Sequence, residues 1–436
     1  MTDQTGKAAD TATLAGPGAR GTATLKRSLS LPYAVLYGMG VTIGAGIYVL
    51  IGAAAARAGM QAPLAFVIAA LLMGLTAASF AELGGRMPVA AGEAAYVRAA
   101  FGSDRWSAAV GYLVVLIAVV AAAAISAGSA GYIGVFVALP RPVIIAGVVL
   151  GMGIIAAWGI KESVAFAGVM TLIEVGGLLV LVAAGTFSGP EIVTRLPEML
   201  PQTGPSGLAP AAVLGLVSAT MLAVFAFIGF EALVNVSEEL HEPERTLPRA
   251  IFLTLVLTTL LYVLVVWVAL IAVPPNELAA SPAPLALAFE RLTGASQRTM
   301  SAVAVVATLN GVVVQIILAA RVIYGLAGQG MLPRPFRSVS HLTRTPLLAT
   351  AVSLALALAF ALLLPLEGLA DLSARFTLAL FAIVNLALIR IKSREVAPPR
   401  HVYLAPRWVP WAGLASCLGL LAADLGIALA TSLGGR

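Results

Sequence analysis

Gly38-Met39-Gly40-Val41-Thr42-Ile43-Gly44-Ala45-Gly46-Ile47 interrupts the first apolar segment of the chain, and Phe225-Ala226-Phe227-Ile228-Gly229-Phe230-Glu231 interrupts the sixth. Glycine is a poor helix former and admits backbone angles that other residues avoid. Inside a bilayer, backbone that leaves the helical path must find partners in protein, in water or in a ligand. Two such breaks, at matching places in the two halves of a chain, are the pattern expected of a ligand site near the membrane midplane.

The composition places these segments in lipid. Sixty per cent of the 436 residues are hydrophobic and only 11% are charged, with a mean hydropathy of +1.00. A soluble domain carries about 25% charged residues, so the surplus apolar surface needs a bilayer as its solvent. The single cysteine, Cys417, lies in an apolar run and forms no intrachain disulfide. The three histidines stand in no ligand-like spacing, so neither a metal site nor a cofactor is expected. The net charge of +6 resides in loops at segment ends. That placement reports topology and contact with anionic lipid headgroups rather than nucleic acid. There is no Ser/His/Asp set and no phosphate-binding loop, so an enzyme is not expected.

Eleven segments are long and apolar enough to span: 31–55, 63–82, 107–137, 141–160, 163–187, 209–236, 249–273, 300–326, 346–364, 370–391 and 409–431. Prolines at 32, 63, 142, 210, 248, 346 and 410 mark where helices are expected to start. Residues 1–27 are small and polar, lack the features of a signal peptide, and read as a disordered cytoplasmic tail. With that tail inside, nineteen of the 26 Lys and Arg residues fall on the cytoplasmic side and seven on the other. The bias supports the count and leaves the C-terminus outside. Because five is odd, a second set of five spans enters the membrane from the opposite side. The expected fold is therefore an all-α polytopic membrane protein with a 5+5 inverted repeat, about 31–187 and 209–391. The core runs from 28 to 392, and 393–436 supply a cytoplasmic loop and the eleventh span.

The breaks also suggest chemistry. Around Ile43, Gly44, Ala45, Gly46 and Ile47, backbone N–H groups and the positive end of the half-helix that follows point at one place, suited to a carboxylate. The same glycines would also serve close helix packing. Around Phe225, Ala226, Phe227, Ile228 and Gly229, an unwound turn would turn carbonyls toward an ammonium group. Phe225 and Phe230 would cover the ligand or simply fill the core. Glu174 and Glu231 lie at membrane depth, where an acid costs about 2.5–3.5 kcal/mol at a helix centre and so faces the bundle interior or cavity water. Each is a candidate to load and release a proton, or a structural acid pinning two helices. Glu82 ends the second span near Arg86 and suits an inner gate or a loop salt bridge. The run from Glu238 to Arg249 reads as a solvated connector.

These residues resemble the amino acid–polyamine–organocation superfamily, and bacterial amino acid permeases and cationic amino acid transporters most of all. The resemblance rests on Ile43-Gly44-Ala45-Gly46-Ile47, Phe80-Ala81-Glu82-Leu83, Gly92-Glu93-Ala94-Ala95-Tyr96-Val97 and Ile160-Lys161-Glu162-Ser163. It also rests on Phe225 to Glu231, Glu238-Glu239 through Pro243 to Pro248, and Ala320-Arg321-Val322-Ile323-Tyr324. It implies a leucine-transporter-type core and secondary active transport of amino acids across the cytoplasmic (inner) membrane by alternating access. It also implies carboxylate binding by Ala45, Gly46 and Ile47, amino-group binding by carbonyls around Phe225, Ala226 and Ile228, and an aromatic gate at Phe225. Glu231 falls where some exchangers carry a pH-sensing acid.

Two departures bear on coupling. Proton-coupled relatives often carry a lysine in the fifth span where this chain has Glu174. Sodium-coupled relatives offer hydroxyls in the eighth, where this chain has Leu318-Ala319-Ala320. A proton, in symport or exchange, is thus the expected coupling ion and sodium the weaker candidate. A polyamine permease is the alternative, but it would need acids where the glycine nest lies. A non-transporting sensor subunit finds no attached soluble domain to support it.

Overall fold

The computed structural model describes residues 29–43, 46–88, 92–158, 164–187, 191–201, 203–204, 207–208, 210–395, 399 and 401–434. The tail 1–27, the pair Gly44-Ala45 and the Lys161-Glu162-Ser163 motif lie outside them. Helices account for each of the eleven expected segments. The first is two pieces, α1 (Leu31–Ile43) and α2 (Gly46–Ala58), and α3 (Ala62–Arg86) follows through a 3-10 turn. A connector helix, α4 (Gly92–Phe101), precedes α5 (Asp104–Gly134), α6 (Arg141–Trp158) and α7 (Val164–Phe187). After the short α8 (Glu191–Thr194) come α9 (Pro210–Ala226) and a 3-10 helix, Phe230–Glu239, which together form the sixth segment. The remainder is α10 (Pro243–Ala272), the connectors α11 (Pro275–Ala280) and α12 (Pro284–Thr293), then α13 (Gln297–Gly328), α14 (Leu347–Leu363), α15 (Leu366–Arg394) and α16 (Trp408–Gly434).

Among the described residues, nine helical runs are long and apolar enough to cross a membrane. One of them, Gly46–Arg86, joins α2 and α3, while α1 and α14 are shorter apolar helices. Large apolar side chains such as Leu71, Ile154, Leu172 and Leu179 remain exposed on the outer surface, as a lipid-facing belt requires. One expected boundary differs. α10 begins at Pro243, so Pro248 lies inside the helix rather than at its start. The N–H groups of Arg245 and Thr246 already reach the carbonyl of Glu242, at 3.0 and 2.9 Å. The first turn therefore forms upstream, and Pro248 forfeits only one further bond.

One end of α3 is fastened by charge. The buried Glu82 pairs with Arg86 at 2.6 Å and with Lys392 of α15 at 2.7 Å, and accepts the N–H of Ala405 at 2.8 Å. Arg86 also pairs with Glu395 at 2.9 Å, and Lys392 donates to the carbonyl of Ala405. Buried charges persist only when paired and hydrogen-bonded. This cluster fixes α3, α15 and the strap leading to α16 as one unit.

Candidate functional site

The first and sixth segments break where their glycines fall. α1 ends at Ile43 and α2 begins at Gly46. α9 ends at Ala226, a turn covers residues 227–229, and the 3-10 helix starts at Phe230. Gly229 adopts φ +133°, a conformation open to glycine and strained for other residues. Its N–H donates to Oε2 of Glu231 at 2.8 Å, so the acid caps the second half of the broken helix.

The two breaks touch. A methyl group built on Gly46 would lie 2.5 Å from the Cα of Ala226, and one built on Gly229 would lie 2.8 Å from the Cα of Thr42. Tyr262 of α10 joins them. Its hydroxyl lies 2.9 Å from the carbonyl oxygen of Thr42 and 2.9 Å from that of Ala226, so its one proton is shared between the two chain ends. Phe66 and Phe227 pack around the Tyr262 ring, with centroids 5.7 and 5.3 Å from it. The other ends of α1 and of the 3-10 helix are stitched as well. Leu29 N–H donates to Glu239 O, and His241 N–H donates to Leu29 O, each at 3.0 Å. Tyr262→Phe is expected to cost about 1–3 kcal/mol, because buried carbonyls lose a donor. The check is a lowered unfolding temperature in detergent together with slowed uptake.

A cavity of about 1240 Å³ begins at these breaks. Thr42, Gly46, Phe225, Ile228 and Gly229 line its head, Val114, Ile117, Ala121 and Ile125 of α5 one wall, and Asn310, Gly311, Val314 and Leu318 of α13 another. Leu29, Glu239, Arg321 and Arg344 also line it, and the exposed Arg321 and Arg344 mark its mouth. At the far end of α2 a charged clasp ties three helices. Arg57, at the close of α2, grips Asp371 of α15 through two bonds of 2.9 and 2.8 Å. It also reaches the carbonyl and hydroxyl of Ser218 on α9, each at 3.1 Å. A bidentate, mostly buried pair of this kind is among the stronger ionic contacts. Asp371→Ala is expected to loosen the clasp. In a Cys417→Ser background, a cysteine at Phe225 (Phe225→Cys) should then react at least about tenfold faster with an impermeant maleimide added to the Arg57 side, the worth of one charge-assisted bond.

Residues 29–429 match the amino acid permease family. The chain belongs to that family. Over 397 residues it is 28% identical to a vacuolar cationic amino acid transporter of Arabidopsis thaliana, covering 84% of this chain and 60% of that protein's length. It is 28% identical over 407 residues to a branched-chain amino acid permease of Bacillus subtilis, covering 87% of this chain and 84% of the relative. A cationic amino acid transporter of Mus musculus is 28% identical over 404 residues, covering 88% of this chain and 62% of the relative. The chain thus spans about three fifths of the length of the Arabidopsis and mouse proteins.

Of the residues expected at the site, Gly46, Phe225, Ile228, Gly229 and Glu231 line the cavity. Gly44 and Ala45 lie outside the described residues. Ile43, Ile47 and Phe227 are fully buried behind the lining, and Ala226 supplies its carbonyl to Tyr262. Glu174 is buried in α7 and is not part of the lining. Its Oε1 accepts from Nδ2 of Asn310 at 3.3 Å, its own carbonyl accepts the Tyr48 hydroxyl at 2.8 Å, and its Oε2 has no partner. Asn310 does face the cavity, so a single amide separates the carboxyl from the open space. Glu82 belongs to the α3–α15 cluster and is not in the lining. Sequence reasoning passed over Tyr262, Asn310, Arg57 and Asp371. An amide beside Gly311 in the middle of an apolar span was the one available signal.

Proposed function

We propose that this chain is a secondary transporter that carries amino acids across the cytoplasmic membrane by alternating access, in proton-coupled symport or exchange. The observation that carries this reading is the contact between two broken helices at the head of a large cavity. The freed N–H groups at the start of α2 suit a carboxylate, and the carbonyls at the end of α9 suit an ammonium group. A zwitterion satisfies both. Membership of the amino acid permease family, and relatives whose names specify amino acids, support the same class. A polyamine would leave the N–H nest without its anion.

The bias of basic residues assigns the mouth, with Arg321 and Arg344, to the cytoplasm, and the Arg57–Asp371 clasp to the outside. On this reading the cavity faces inward in a 5+5 inverted-repeat core with the N-terminus inside and the C-terminus outside. For coupling, Glu174 is the favoured proton carrier. It is a membrane-depth acid that, among the described residues, pairs with no cation and keeps one oxygen without a partner, and Asn310 stands between it and the cavity. Glu231 is the competing carrier, although its carboxyl already serves as the cap on Gly229.

Uptake of a panel of radiolabelled amino acids by proteoliposomes tests this reading. Accumulation of at least one of them under an imposed pH gradient is expected. Accumulation on a sodium gradient alone would overturn the coupling, and no uptake of any amino acid by monodisperse protein would overturn the reading as a whole.

A further inference from the structure

The connection from α13 to α14 ends in a well-bonded turn with a leucine at its tip. The N–H of Ser340 donates to the carbonyl of Thr345 at 3.0 Å, and that of Arg344 to the carbonyl of Ser340 at 2.9 Å. The hydroxyls of Thr343 and Thr345 meet at 2.7 Å. Arg344 closes the turn at φ +57°, a conformation uncommon for a residue with a Cβ. The Thr345 hydroxyl also donates to the carbonyl of Ala157 at 2.7 Å, which fastens the turn to the end of α6. Leu342, at the tip, is 97% exposed, and Trp158, which ends α6, is 76% exposed. Both border the same cavity mouth. A lone exposed leucine needs no explanation, but here it stands beside a tryptophan and is held outward by an ordered turn.

The charge of the same connection has one sign. No Asp or Glu occurs between Glu290 and Glu367, and Arg334, Arg337 and Arg344 are all exposed. Arg57, Arg86, Arg195, Arg291 and Arg375 each grip an acid. Among the described residues, Arg334, Arg337 and Arg344 pair with none. Guanidinium groups take phosphate oxygens in pairs. Tryptophan settles at headgroup level, and a leucine gains by leaving water for acyl chains. We infer that this turn is a binding site for anionic phospholipid, with Leu342 inserted among the acyl chains, Trp158 at the headgroups and the three arginines on the phosphates. A soluble acidic partner would also meet the arginines. The turn, however, is tied to the end of a membrane-spanning helix, at the level where headgroups lie.

The test is fluorescence of a Leu342→Cys variant in a Cys417→Ser background, labelled with a polarity-sensitive dye and placed in phosphatidylcholine nanodiscs, where both faces are accessible. Emission shifted to the blue of that in water, and protected from acrylamide, is expected. Brominated phosphatidylglycerol, added as a minor component, should quench the dye at least about fivefold more effectively than brominated phosphatidylcholine, the worth of one basic residue at an anionic surface. High salt should reduce that preference. With Arg334→Gln, Arg337→Gln and Arg344→Gln combined, and the protein monodisperse on gel filtration, the preference should fall to about one. A water-like emission freely quenched by acrylamide overturns the insertion of Leu342 and leaves the arginines to a soluble partner. Equal quenching by the two brominated lipids overturns the selection for anionic headgroups, and a preference that survives the triple substitution overturns the role of these arginines. None of these readouts requires a transported substrate.

Discussion

Gly46→Leu abolishes uptake while the protein still reaches the membrane in normal amount: that is the expected result at the helix break. Even a methyl group at this position would lie 2.5 Å from the Cα and 2.9 Å from the Cβ of Ala226. The obstruction includes backbone, which cannot rotate away as a flexible side chain can. A leucine must therefore push α2 and α9 apart or project into the cavity head, where the substrate carboxylate is to sit. Overpacking alone costs about 1–3 kcal/mol, a loss that a large helical bundle absorbs without unfolding. The loss of function comes from the displaced N–H groups. Gly151 of α6 is the control, because a Cβ there meets nothing within 4 Å, and Gly151→Ala should transport as the parent does. Initial-rate uptake, with surface expression measured in parallel, decides the matter. A Gly46→Leu variant with wild-type KM would reduce the break to a packing device.

Glu174→Gln is expected to bind substrate and exchange it but to lose accumulation on a pH gradient. Glutamine keeps the shape and can still meet Asn310 at Oε1, yet it carries no exchangeable charge. In the parent, one proton moved per substrate supports about tenfold accumulation per pH unit, since a unit is worth about 1.4 kcal/mol. In the variant that ratio should fall to about one, with counterflow exchange retained and insensitive to pH. Glu231→Gln, measured the same way, is expected to slow transport through the weakened Gly229 cap while preserving the accumulation ratio. Should Glu231→Gln abolish accumulation and Glu174→Gln spare it, the roles of the two acids are reversed.

The sequence made the spans and both breaks legible for a physical reason. Lipid requires long apolar runs, and a helix that must stop inside one uses glycine, so Gly44, Gly46 and Gly229 stood out. The start of α10 was misplaced because Pro248 is a strong stop signal in isolation, whereas the turn anchored on Glu242 forms before it is reached. Tyr262 was illegible because an aromatic ring in an apolar run reads as core, and only the fold brings its hydroxyl to two carbonyls at once. The Arg57–Asp371 clasp was equally hidden, its partners lying 314 residues apart. Glu93 was visible as a charge near Arg98, but Arg98 turns instead to Asp104, 3.1 Å away. Its place on the cavity wall is a property of packing alone.

The central claim is that the touching breaks of the first and sixth segments hold the transported amino acid. An experimental structure of the protein saturated with its best-transported amino acid tests that most directly. The account predicts the α-carboxylate within hydrogen-bond distance of the backbone N–H of Gly46 or Ile47, with the ammonium group facing the carbonyls between Phe225 and Ile228. Density for the ligand elsewhere in the cavity, with both breaks unoccupied, would contradict it.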